Sequence, residues 1–146
     1  PIRVAVFSAL NRDMEVARYK GSALANKIIE SLDHGPKYTY LIGHDTNLAN
    51  LGEIFDLNWK LPRRDQNENT PGGYLTFEKW SVNGQPEIRV FYSALSPEQI
   101  HAERVTQPTD DFEILPRGTK FDEWKTTYGR RLQSNCIADD KYENRK

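Results

Sequence analysis

Cysteine is nearly missing from this chain: among 146 residues there is one, Cys136, and methionine likewise occurs once. A lone thiol closes no internal disulfide, so a disulfide scaffold is excluded and a reducing compartment is the default. No apolar run approaches the ~20 residues that cross a bilayer. Charge of one sign is also lacking. The formal net charge is -1, which removes the electrostatic case for binding nucleic acid or an anionic membrane. Histidine occurs three times, too sparse for a site that needs several imidazole ligands. No secretory leader is evident, although a processed chain would have lost one.

What remains suits one polar-surfaced α/β domain, or a piece of a larger one. Hydrophobic residues make up 37% and charged residues 28%, and the length allows a sizeable core. The stretch Tyr38–Leu51 organises the rest. Tyr38 to Ile42 is apolar and aromatic, as a strand would be. The chain then turns at Gly43 and sets His44 beside Asp45. Leu48, Leu51 and Phe55 follow at helical spacing, and Asp45, Thr46 and Asn47 all suit a helix N-cap. A strand delivering an imidazole and a carboxyl group to the first turn of a helix suits phosphate chemistry. The turn's N–H groups favour an anion, and the carboxyl group can give or take a proton. The plainer alternative is that Asp45 only caps the helix.

Along the chain, Pro1 to Ser8 reads either as a strand or as the end of a buried helix. Asp13 to Leu32 carries a helical stripe capped by Asn11 or Asp13, with Gly21 as the place for a kink. Asp33-His34-Gly35-Pro36 ends that helix, with glycine in a left-handed cap. The loop Asp56 to Asn69 returns Trp59 and Leu61 to the domain, and Arg63 and Arg64 read first as a solvated basic pair, with an anion at the rim as the alternative. Asn83-Gly84 is the strongest hairpin signal in the chain. It predicts antiparallel strands over Tyr74–Trp80 and Ile88–Ser93, added to the sheet that holds the Tyr38 strand. That makes a mainly parallel sheet ending in an antiparallel hairpin, with helices packed on it. Ser96-Pro97 opens a short helix, and a short extended piece is expected around Phe112 to Leu115. Thr119 caps a last helix reaching Leu132, with a charged tail beyond. His34 and His101 read as surface residues.

Two runs resemble a known family. Ile42-Gly43-His44-Asp45-Thr46-Asn47-Leu48-Ala49-Asn50-Leu51-Gly52, and then Asp65-Gln66-Asn67-Glu68-Asn69-Thr70-Pro71-Gly72-Gly73 through Trp80, are similar to the histidine acid phosphatases. Within them the bacterial phytase and glucose-1-phosphatase branch is nearest. The resemblance runs from about Met14 to Trp80 and is looser to Cys136. It implies part of a phosphoglycerate mutase-like three-layer α/β fold over residues 1–136, with 137–146 a tail. It implies a phosphomonoesterase that works through a phosphohistidine, without metal or other cofactor, in the periplasm or outside the cell. Asp45 would be the general acid and His44 a phosphate contact. Thr46, Asn47, Glu68 and Asn69 would be substrate-side candidates. A cysteine near the C-terminus is paired in that family, so the partner of Cys136 would lie outside this sequence.

The family's nucleophile sits in an Arg-His-Gly motif that this sequence lacks. Its only His-Gly, His34-Gly35, follows Asp33 in a turn. The expectation is therefore a C-terminal portion of a phosphatase, inactive alone, whose partners are a phosphomonoester and the missing N-terminal portion. The alternative is a non-catalytic module that binds phosphate or a partner on the same fold. A metal-dependent pair at His44-Asp45 would need further ligands that the sequence does not place nearby.

Overall fold

The computed structural model describes residues 2–102 and 110–137, so most of the expected tail lies outside the described residues. Helix α1 spans Ile2–Asn11, which settles the N-terminal ambiguity in favour of helix. Helix α2 spans Met14–His34 and starts where Asp13 Oδ1 accepts the Val16 N–H at 3.1 Å. Helix α3 spans Asp45–Ile54. Strands β1 (Tyr74–Val82) and β2 (Gln85–Ala94) form the hairpin, and β3 (Asp110–Glu113) pairs antiparallel with β2. A short helix α4, Pro97–His101, starts at Ser96 with the expected reciprocal cap to Gln99. Helix α5 covers Phe121–Gly129.

The hairpin follows from its turn. Asn83 and Gly84 both take positive φ, 51° and 77°, as a two-residue loop matched to strand twist requires. Register runs from Tyr74 opposite Ser93 to Val82 opposite Gln85. The sheet order is β1-β2-β3, all antiparallel. A mainly parallel sheet containing Tyr38–Ile42 is thus not what forms. That segment belongs to no strand of this sheet, because strand composition cannot supply a neighbour to pair with.

The core lies between this sheet and helices α2, α3 and α5. It holds Ile28, Ile54, Phe55, Leu57, Trp59, Ile88, Val90, Tyr92, Phe121 and Trp124. Phe55 stacks on Trp124 at 4.8 Å and meets Phe77 edge-on. Trp59 stacks on Tyr92 at 4.5 Å with an interplanar angle of 6°. Lys125 ties α5 to the end of α2 through Asp33 at 2.9 Å, and that hydrogen bond holds the Asp33 carboxyl below its usual range.

Three local expectations change. Gly35 is not left-handed: its φ is -78° and ψ -177°. Its α-carbon instead abuts Ser31, whose backbone a side chain would strike at 2.6 Å. Helix α5 starts after Lys120 rather than Thr119, and it ends at Gly129. Thr119 turns back, donating its hydroxyl to Pro116 O, while its carbonyl accepts the Ile88 N–H.

Gly21 does not break α2, which runs unbroken through it. It is where α2 meets α3: a Cβ there would lie 2.9 Å from Ile54 Cδ1 and 3.0 Å from Asn50 Cβ. Alanine improves helix propensity by about 1 kcal/mol, while overpacking a tight contact costs about 1–3 kcal/mol. Ile54 can rotate away, but Asn50 Cβ is fixed to the α3 backbone. Gly21→Ala is therefore expected to lower the urea midpoint of the domain. A raised midpoint would show that the helix contact yields freely.

Candidate active site

The site is built where a segment outside regular secondary structure gives way to α3. His44 is the N-cap, with φ -119° and ψ 171°. Its main-chain N–H donates to Asn47 Oδ1 at 2.8 Å. The helix is capped from inside, by its third residue, rather than by a side chain preceding it. Gly43 is required for that arrangement by space, since a Cβ would stand 2.8 Å from Asn47 Oδ1. The turn read at Gly43 thus has its cause in a close approach to the cap.

Asp45 opens the helix, and its Oδ1 accepts the Thr46 N–H at 2.8 Å. A carboxylate there is favoured by the helix dipole. The plain capping role is partly realised, and it also holds the carboxyl group at the mouth of the helix. His44 and Asp45 are both solvent-exposed. Both line one open cavity of about 2100 Å³, which Asn47, Glu68 and Asn69 also line. Thr46 is half-buried and is not among the residues lining that cavity.

Loop 56–69 is locked onto this site. Trp59 Nε1 donates to Glu68 O at 3.0 Å, and the Trp59 N–H donates to Asn67 Oδ1 at 2.9 Å. Asn69 Nδ2 then donates to the Asp45 carbonyl at 3.1 Å. The Asn69 Oδ1 is buried and without a partner. Asn69 therefore fixes the backbone that carries the carboxyl group, a role its position in sequence did not disclose.

Glu68 is committed elsewhere. Its carboxylate accepts from Arg64 Nη1 at 3.2 Å and from the Asp65 N–H at 2.8 Å. Arg63 is paired with Glu98 at 2.5 Å. Neither arginine lines the cavity, so the alternative that they face an anion gives way. Each found a carboxylate through the folded path of the loop. Of the other histidines, His34 is exposed in its turn, and His101 Nδ1 lies 2.6 Å from Pro97 O. Among the described residues, no three His, Cys, Asp or Glu are placed to hold a metal ion. Cys136 is half-buried with a free thiol.

Chemically, this is a carboxyl group and an imidazole at the positive end of a helix, open to a large cavity. Comparison with known proteins finds relatives of one kind. The chain is 41% identical over 88 residues to phytase AppA of Escherichia coli, an alignment covering 52% of this chain and 20% of that protein. The resemblance to the histidine acid phosphatases holds. The Citrobacter braakii phytase superposes with a TM-score of 0.83 at 24% identity, over 94% of this chain and 41% of that one. The Klebsiella sp. ASR1 phytase gives 0.82 at 20% identity, over 95% and 40%. A Hafnia alvei phytase in complex with myo-inositol hexakis sulphate gives 0.79 at 22% identity. No family model matches the chain. It spans about a fifth of the E. coli phytase and two fifths of the structural neighbours. Over that span it has the phytase fold, with a mixed helix and strand layout and a three-stranded antiparallel sheet.

Proposed function

We propose that this chain is the part of a phosphomonoesterase that supplies the proton donor, Asp45, and one phosphate contact, His44. The observation that carries the reading is their joint exposure to one cavity at the start of α3, in a chain with the phytase fold. The nucleophilic histidine and the arginines that grip the phosphoryl oxygens come from the remainder of the fold, as a longer product or a second chain.

The reaction then runs in two steps. The nucleophile's nitrogen bonds to phosphorus as the ester P–O bond breaks, and Asp45 gives its proton to the departing oxygen. Water next attacks the phosphohistidine. The Asp45 carboxylate takes a proton from that water, and inorganic phosphate leaves. Protonation matters because a sugar or inositol alkoxide is a poor leaving group. His44 and the first-turn dipole stabilise the anionic phosphoryl group by preorganised electrostatics. No metal is assigned a role. A sugar phosphate or an inositol phosphate is the substrate class; the inositol polysulphate held by the H. alvei phytase supports the latter. The family likeness supports a periplasmic or secreted setting, with a partner for Cys136 elsewhere in the fold.

A second reading has one observation in its favour. With the Asp45 carboxylate turned onto the Thr46 N–H, the pair could serve a non-catalytic module that binds phosphate. A phosphatase assay separates the two. The chain alone should not release phosphate from a sugar phosphate. Joined to the three fifths of the C. braakii phytase that this chain does not match, it should do so, with chelator present. Turnover by the chain alone, or none after joining, contradicts the proposal.

A further inference from the structure

Loop 56–69 meets the site beside Glu68, a residue fixed through both its main chain and its side chain. Its carbonyl accepts from Trp59 Nε1 at 3.0 Å and from the Tyr92 hydroxyl at 3.5 Å, and those two rings are stacked in the core. One carboxylate oxygen accepts from Arg64 Nη1 at 3.2 Å and the other from the Asp65 N–H at 2.8 Å. The next residue, Asn69, reaches the Asp45 carbonyl at 3.1 Å. Charge around the cavity is uneven. From Asp45 to Glu78 its lining carries the carboxylates of Asp45, Asp65, Glu68 and Glu78 and, among the described residues, no lysine or arginine. Its cations, Arg3, Lys37 and Lys79, stand on α1, just after α2 and late in β1. Lys79 Nζ is engaged by the Asp33 carbonyl at 3.0 Å. Arg64 lies behind Glu68 and does not line the cavity, so their ion pair turns its negative end inward.

We infer that Glu68 is a specificity-determining residue: it masks Arg64 and selects phosphate esters whose alcohol carries hydroxyls rather than further phosphates. The inference rests on the proposed function for where the ester lies. Asp45 protonates the leaving oxygen, so the alcohol and its substituents lie on the Asp45 side, toward Glu68 and Asn69. Amide groups such as Asn67 and Asn69 can bond hydroxyls as donors or acceptors. A second phosphate there would instead meet carboxylates, and like charges a few ångströms apart repel. The H. alvei phytase is in complex with myo-inositol hexakis sulphate; on this chain such a ring brings its anionic groups against Glu68. The selection is thus a repulsion against the wrong ligand more than a contact added for the right one.

Glu68→Gln tests this, because glutamine keeps an acceptor for the Asp65 N–H and uncovers the Arg64 charge. In the chain joined to the unmatched three fifths of the C. braakii phytase, it should raise kcat/KM for inositol hexakisphosphate relative to glucose 1-phosphate by about tenfold. Adding Arg64→Gln should remove that gain. A second measurement needs no turnover: the intact chain by itself is titrated calorimetrically with inositol hexakisphosphate. There Glu68→Gln should tighten binding about tenfold, and Arg64→Gln alone, which leaves Glu68 uncompensated, should weaken it by a similar factor. The arginine variant decides the matter if circular dichroism shows that Glu68→Gln does not fold. Affinities that neither variant moves, or a gain that survives Arg64→Gln, overturn the inference. Shifted affinities with no turnover of either ester by any joined enzyme overturn the catalytic reading alone. Turnover of both esters at a ratio that Glu68→Gln does not move overturns the specificity role alone.

Discussion

Asp45→Asn, in the chain joined to the rest of a phytase fold, is expected to lower kcat on a sugar phosphate by about 10²–10⁴-fold. Asparagine keeps the shape of the side chain and can still accept the Thr46 N–H that Asp45 Oδ1 accepts at 2.8 Å. It cannot deliver a proton. The loss should therefore fall on kcat, with KM little changed, as expected when an interaction made in the transition state is removed. A carboxylate whose task is only to cap α3 would behave otherwise. Its replacement would cost at most a few tenths to about 2 kcal/mol of stability and leave the rate of the folded enzyme intact. Steady-state kinetics with and without the substitution, on protein checked for folding by circular dichroism, separates the two.

The second large effect is structural and is expected at Trp59. Its ring is almost fully buried and stacked on Tyr92 at 4.5 Å, and the Arg12 guanidinium lies 5.2 Å from its centroid. Arg12 in turn donates to Leu57 O at 2.6 Å, and burial pulls its pKa below the usual value. Trp59 thus joins the α1–α2 junction, strand β2 and the loop that carries Asn69 to Asp45. Trp59→Ala removes that packing and leaves a cavity, at a cost of about 3–5 kcal/mol. Against a typical total of ~5–15 kcal/mol, this is enough to unfold a marginal domain. Tyr92→Phe is the control. It keeps the stack and loses the hydroxyl's contact with the Thr70 N–H at 3.2 Å, worth about 1 kcal/mol. Urea unfolding checks both, and equal shifts for the two variants would show that Trp59 is not the hub.

Local signals were legible and partner choices were not. Asn83-Gly84 marked the hairpin because positive φ at two consecutive residues is a local demand. Asp13, Ser96 and Pro97 marked helix starts for the same reason. His44-Asp45 stood out as chemistry placed where a helix begins, and that is where it lies. The loop's Trp59 and Leu61 do return to the core, as large apolar residues in a polar loop must. Tyr38–Ile42 had strand composition without a strand neighbour among the described residues, and no local pattern reports the absence of a neighbour. Gly21 and Gly35 looked like breakers, but each is a point of close approach, set by what packs over it. Arg64 and Glu68 sit four residues apart in a loop, and only its folded path pairs them. Asn69 was marked as a residue of the pocket, yet its hold on the Asp45 carbonyl depends on a loop closing over 24 residues of chain.

The leaving-group series is the measurement closest to the centre. Phosphomonoesters are compared from p-nitrophenyl phosphate, whose phenolate departs without help, to glucose 1-phosphate and an inositol phosphate, whose alkoxides do not. In the joined enzyme, the wild-type chain should cleave all of them at rates that depend little on leaving-group basicity. With Asp45→Asn, kcat/KM, which reports only the steps up to phosphohistidine formation, should be nearly spared for the nitrophenyl ester and should fall by about 10²–10⁴-fold for the alkyl esters. An equal loss of kcat/KM across the series, or none, would mean that Asp45 donates no proton to the leaving oxygen and that the pair at the mouth of α3 does something else.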